Sequence, residues 1–275
     1  MDQVATSSGA PTGATTGAPT GATIALMYHA LWAVAQDQAG ADPHYAVPLP
    51  RFAQQLALCQ RIGGGAVSAR DWLKGQAGVI LTFDDGHLSS HRLGFPTLQA
   101  AGAGADFFVN PAQVGTSGFA TWAELREMAA AGMSIQSHGL DHRNYLTTLS
   151  PSRLREDLRR ARLEIEEKVG QPVTLLTPPG GRAPQNLEQI AREVGYTHVF
   201  GSNPGTIGRD GRHSHGRFAV TAGLDLRAFE SLLRGGRARL RAQLRHTVLA
   251  LAKRALGDDL YERTRARFTG TSVEH

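Results

Sequence analysis

The chain has 275 residues, of which 41% are hydrophobic and 19% charged, enough apolar material for a sizeable core and too balanced for a fibrous or wholly disordered protein. Lys and Arg number 29 against 24 Asp and Glu, a net charge of +5 whose excess gathers between Arg227 and Arg267, and no nucleic-acid partner is expected. A single cysteine, Cys59, excludes an intrachain disulfide, and no stretch approaches the roughly 20 apolar residues of a membrane-spanning helix.

Residues 1–22 repeat Gly-Ala-Pro-Thr-Gly-Ala-Thr from Gly9 and again from Gly17. Such small, Pro- and Gly-rich sequence buries too little area to offset ordering entropy, so a disordered tail is expected. Neither a positive n-region nor an apolar h-region is visible there, so no signal peptide is expected, and the compartment stays open between cytoplasm and cell envelope. Order is expected from Thr23, where Thr23–Tyr28 reads as a buried strand. Pro50 to Ile62 has helical spacing and stops at Gly63-Gly64-Gly65, and Cys59 within it reads as a buried structural thiol. Gly78 to Phe83 is a strand, Phe95 to Ala101 a helix and Asp106 to Val109 a strand. Thr121, with Glu124 three residues on, forms a capping box for a helix to Ala131. Met133 to Gln136 is a strand, and Ser150-Pro151 opens the longest helix, ended by Gly170. Val173–Leu176, Tyr196–Phe200 and Arg217–Thr221 read as further strands, and 184–194, 226–233 and 240–256 as helices. This alternation predicts an α/β fold with a parallel sheet or a distorted (β/α) barrel, whose chemistry gathers at the C-terminal ends of the strands.

Two motifs sit at such ends. Leu81-Thr82-Phe83-Asp84-Asp85-Gly86 delivers two adjacent carboxylates, and His138-Gly139-Leu140-Asp141-His142 places two imidazoles four residues apart. Gly139 disfavours a helix between them, so a loop curling round an ion is expected. One carboxylate and two histidines suit Zn, Fe, Co or Mn while leaving coordination positions open. Adjacent side chains at a strand end point to different sides. The two therefore take different roles: one, Asp85 on this reading, can bind the metal, and the other, Asp84, can face the metal-bound water as general base.

These residues resemble the polysaccharide deacetylases, the NodB-homology domain or carbohydrate esterase family 4. The family's Thr-Phe-Asp-Asp-Gly motif stands at Thr82 to Gly86, and its His-Ser/Thr-x-x-His motif at His138 to His142 with Gly139 in the Ser/Thr slot. Met27-Tyr28-His29, Tyr45-Ala46-Val47 with Phe52, Leu176 to Gly181, and Arg217 to Val220 extend the likeness over about Thr23 to Arg234. The resemblance implies a distorted (β/α) barrel over 23–234, with 235–275 a basic helical extension. It also implies Asp84 as base, Asp85, His138 and His142 on one divalent ion (Zn, with Co or Ni as alternatives), and removal of N-acetyl groups from an aminosugar polymer. His29, Pro179, Gly180 and Arg182 are expected along the substrate groove.

The sequence departs from the family pattern in three places. Thr177 fills the slot where an Arg often orients the base, leaving Arg182 as the nearby substitute. The Trp of the fourth motif is not evident. No Leu-x-His segment supplies a general acid, so His213 and His215, ahead of the closing strand, are the tentative replacements. A chain without that acid would favour O-acetyl esters, whose alkoxide leaving groups need less help, or would bind glycan with weak turnover. The Arg-rich end, with Leu240, Leu244, Val248 and Leu251 at helical spacing, reads as an amphipathic helix packed on the barrel, with a membrane-surface or partner-docking role as the alternative. Oligomeric state is not readable.

Overall fold

The computed structural model describes residues 23–142, 146–208, 210–244 and 247. The expected tail over 1–22 and most of the extension after 244 lie outside the described residues.

The fold is mixed α/β, with a nearly closed, barrel-like sheet. β1 (Thr23–Tyr28) is followed by a short ribbon, β2 (Ala30–Trp32) paired parallel with β3 (Ala46–Pro48), and then by α1 (Leu49–Gly63). Next come β4 (Ala66–Val67), α2 (Ala69–Leu73), β5 (Val79–Phe83), α3 (Phe95–Ala100) and β6 (Asp106–Val109). They lead to α4 (Trp122–Ala130), β7 (Ser134–Ser137), α5 (Pro151–Val169), β8 (Leu175–Leu176), α6 (Leu187–Glu193) and β9 (His198–Phe200). The chain closes with β10 (Thr206–Ile207), β11 (Ser214–His215), β12 (Phe218–Ala219) and α7 (Leu226–Leu233). The sheet runs β12-β1-β5-β6-β7-β8-β9-β11, all parallel; β4 also pairs with β5, and β10 adds an antiparallel rung to β1. No pairing joins β11 to β12, so the barrel stops short of closure between two strands that are neighbours in sequence.

Local chemistry explains these elements. Thr121 Oγ1 accepts from the Glu124 amide at 3.3 Å while the Glu124 carboxylate accepts from the Thr121 amide at 2.7 Å, the expected capping box on α4. Ser150 caps α5 through the Arg153 amide, and Gly170, at φ 74°, ends it in the left-handed conformation glycine tolerates. Cys59 is buried, and its thiol is pushed up to about 12 by desolvation, fitting a structural residue. The short strands β2, β3, β4, β10 and β11 escaped the sequence reading because two or three residues carry no usable periodicity.

Apolar residues alternate between two cores. Leu26, Tyr28, Leu81, Phe83, Phe107 and Val109 belong to the larger core, and Tyr28, Phe83 and Phe107 stack in series at 5.2 and 5.0 Å. Ala25, Ile80, Phe108, Leu175 and Phe200 belong to a second cluster that fills the barrel interior. The period of two fixes which side chains at the strand ends face inward. On β5 the interior column is Ile80, then Thr82, and next in line Asp84.

Candidate active site

Asp84 continues the β5 ladder, its amide donating to the Tyr28 carbonyl at 2.9 Å, so its side chain keeps the inward direction and is 2% exposed. Asp85 does not continue the strand. Its φ is 72°, the only positive value at a non-glycine among the described residues, and Gly86 follows at 73°. Two successive left-handed residues suit Asp-Gly and turn the chain sharply. The carboxylates are therefore separated by a turn rather than by strand alternation. Gly86 is required there, since a Cβ would come 3.0 Å from Val109 Cγ1.

The turn brings Asp85 against the loop that follows β7. Asp85 Oδ1 lies 3.3 Å from His138 Nε2 and 3.3 Å from His142 Nε2. The three donor atoms all fall within 4.8 Å of one another. His138 is fixed from behind: its Nδ1 lies 2.9 Å from the Thr177 carbonyl and 2.5 Å from Thr177 Oγ1. An Nδ1–H donated to that carbonyl leaves the Nε2 lone pair aimed at Asp85. The Asn110 side-chain amide donates to the His138 carbonyl and holds the loop. Gly139, at φ 77°, lets the loop curl; a Cβ there would sit 3.4 Å from Pro179 Cγ.

This donor set fits a divalent cation. Asp85 Oδ1 is buried without a hydrogen-bond partner, and two imidazole nitrogens face it. Acceptors converging on one point call for a positive charge between them. The electrostatics agree. Burial alone would raise Asp85, yet the His138, His29 and His142 imidazoles hold its carboxyl well below the usual range.

Asp84 is held by a residue that the sequence reading placed only on the closing strand. Arg217 is completely buried in the barrel and grips Asp84 with both ends of its guanidinium, Nη1 to Oδ1 and Nη2 to Oδ2 each at 2.7 Å. It also donates to Thr82 Oγ1 at 2.9 Å and to the Gly201 carbonyl at 3.1 Å. Burial would raise Asp84, but the Arg217 charge and its hydrogen bonds hold the carboxyl low and ionised. The cation paired with Asp84 is therefore Arg217. Thr177, in the slot where an Arg often stands, serves His138 instead. An Arg following a strand-like His-Ser-His segment was the available sign, but nothing local tied it to Asp84.

His213 and His215 are not brought to this site. His215 packs on Phe200 at 5.0 Å and Trp72 at 6.3 Å, between ring centroids, and Trp72 reaches Thr23 at the first residue of β1. His213 bonds the Thr197 carbonyl and faces His198. β11 pairs with β9, His215 opposite Phe200, and the charges that act on His215 are those of His198, Asp210, His213 and Arg212, whereas Arg217, two residues on, reaches Asp84 with its long side chain. Desolvation, with His198 and His213 nearby, pushes His215 down to about 4, leaving it neutral.

That burial has a consequence for stability. Unfolded, His215 would titrate near 6.5; folded, it stays neutral to about 4. Its contribution is therefore full above the unfolded value and lost as pH falls through the folded one. Between pH 6.5 and 4 the wild type should lose on the order of 1 kcal/mol through this group after allowance for screening, a few degrees in Tm, and His215→Phe should flatten that part of the Tm–pH curve. Parallel curves for the two proteins would sink this account.

His29 stands where His213 and His215 do not. The β2–β3 register, Ala30 opposite Ala46, sets the preceding residues His29 and Tyr45 side by side, their rings stacked at 4.4 Å. Asp84, Asp85 and His142 all feel the charge of His29, and its Nδ1 is buried without a partner. Pro179 is buried beside Gly139, Gly180 is exposed at φ 61°, and Arg182 is half-buried on the same loop.

Comparison with known proteins agrees with this geometry. Residues 74–199 match the polysaccharide deacetylase family model. YxkH of Bacillus subtilis (strain 168), classed as a polysaccharide deacetylase, is 29% identical over 152 residues, covering 55% of this chain and 54% of its own. The alignment thus spans about half the length of that relative. The deacetylase PplD of Streptococcus pyogenes superposes with a TM-score of 0.67 at 22% identity, over 78% of this chain and 97% of that one. IcaB from Ammonifex degensii superposes with a TM-score of 0.61 at 25% identity, over 81% and 97%. The barrel is the fold of these solved deacetylases, and the matched segment contains Asp84, Asp85, His138 and His142. Over residues 74–199 the chain is similar to the polysaccharide deacetylases.

Proposed function

We propose that the protein is a metal-dependent hydrolase that removes N-acetyl groups from an aminosugar polysaccharide. The observation that carries this reading is the Asp85–His138–His142 donor set beside a carboxylate clamped by a fully buried arginine. Asp85, His138 and His142 would hold one divalent ion, zinc first and cobalt or nickel as alternatives. Such an ion supplies Lewis acidity to the acetyl carbonyl and lowers the pKa of a water molecule. Asp84, kept ionised and oriented by Arg217, accepts the proton of the attacking water. Arg217 is a positioning residue: its bonds to Thr82 and Gly201 hold the guanidinium, and its two bonds to Asp84 fix the carboxylate plane. His29, near both carboxylates and held by Tyr45, donates a proton to the departing amine nitrogen. Pro179, Gly180 and Arg182 line one wall of the groove.

The test combines two substrates. Metal-loaded protein should release acetate from N-acetylated aminosugar oligomers and from an O-acetylated glycan. His29→Gln should lower the amide reaction by about 10²-fold and the ester reaction much less, because an alkoxide leaves with less protonation. Equal losses on both substrates would remove His29 from the acid role. Wild-type release from esters alone would make the protein an O-acetylesterase, and release from neither would leave a glycan-binding role.

A further inference from the structure

The chain after α7 is built the wrong way round for a helix that merely covers the barrel. Phe229 and Leu232 of α7 enter the core. In the next helix, 237–244, the inward residues are the small Ala238 and Ala242, partly buried against the core. Arg239 anchors it by donating to the Leu232 and Leu233 carbonyls at 3.2 and 3.4 Å. The large apolar side chains face out: Leu240 is 58% and Leu244 56% exposed. Four residues apart, they form one stripe, and the exposed Arg237 and Arg241 flank it. The sequence-based expectation that these leucines pack on the barrel is thus reversed.

The amino-acid pattern continues beyond this helix. Val248 and Leu251 follow at the same spacing, and the twenty residues from Arg237 to Leu256 contain six Arg or Lys and no Asp or Glu. We propose that the exposed face of helix 237–244 docks the protein on an anionic lipid surface, with Leu240 and Leu244 in the headgroup–acyl boundary and Arg237 and Arg241 on the lipid phosphates. A second copy of the same face would bring Arg237 and Arg241 against their own like charges. A soluble polyanion would answer the charge and leave the leucines in water. An anionic bilayer answers both. No helix among the described residues is long and apolar enough to cross a membrane, so the contact is peripheral. The inference is independent of the reading of the catalytic site.

Co-sedimentation of the full chain with vesicles tests it. Binding is expected to equimolar phosphatidylglycerol and phosphatidylcholine, not to phosphatidylcholine alone, and should fall as salt shortens the Debye length. The double substitution Leu240→Gln and Leu244→Gln should abolish binding with unchanged melting temperature, since both side chains are already in solvent. Arg237→Gln with Arg241→Gln should weaken it by more than tenfold, each charge contributing about fivefold. Failure to bind anionic vesicles at low salt would overturn the proposal. So would full binding by the leucine variant, or leucine-dependent dimers in analytical ultracentrifugation without lipid.

Discussion

Arg217→Met should be among the most damaging single substitutions outside the metal ligands, costing on the order of 3–5 kcal/mol of stability and lowering kcat by about 10² or more. The reason is the pairing geometry. Arg217 and Asp84 are 0% and 2% exposed and share two bonds of 2.7 Å, so removing the cation leaves a carboxylate in a low-dielectric interior. That carboxylate takes up a proton or moves, and either way its use as a base is lost. KM should change little, because Arg217 lies behind Asp84, bonded to Thr82 and Gly201 rather than facing the mouth. A double variant separates the two effects. Asp84→Asn alone strands a buried guanidinium and should destabilise by a similar amount, whereas Asp84→Asn with Arg217→Met buries no charge and should recover most of the melting temperature without recovering activity. Thermal melts and acetate release on the four proteins measure the cycle. A double variant as unstable as the sum of the singles would show that the pair is not the unit described.

The second large effect concerns the donor set. His142→Ala should lose bound metal and reduce acetate release to background while keeping the fold. His142 is the more accessible imidazole, its side chain 32% exposed against 3% for His138, so its loss leaves no buried cavity. Elemental analysis gives the stoichiometry, expected to be one ion per chain for the wild type. A readout independent of activity is available: at 100 times the dissociation constant, metal should stabilise the wild type by about 2.7 kcal/mol, several degrees in Tm, and should not shift His142→Ala. A metal-dependent Tm shift of equal size in the variant would place the ion elsewhere.

The parts of the site legible in the sequence were those written locally. The apolar run of β5 ending in Asp84-Asp85-Gly86 announces a strand that delivers acids to a turn, because an Asp-Gly pair accepts the left-handed backbone that a sharp reversal needs. The spacing of His138 and His142, with Gly139 forbidding a helix, announces a curled loop. The capping box at Thr121 and the Ser150-Pro151 start of α5 were equally readable, since each is satisfied within one turn.

The partner of Asp84 was not readable, because Arg217 stands 133 residues away and reaches it only when β12 has paired with β1 beside β5. The surroundings of His213 and His215 were equally hidden, because only the pairing of β11 with β9 sets them against His198 and Phe200. His29 became a proton donor candidate only once the β2–β3 pairing stacked it on Tyr45 next to both carboxylates. The sequence by itself determined which residues carry the chemistry of the two motifs, through backbone preferences that act over a few residues. Only the tertiary structure decided which distant charge pairs with Asp84 and which histidine stands near it, because a salt bridge inside a barrel depends on strand order and register, quantities that no local pattern encodes.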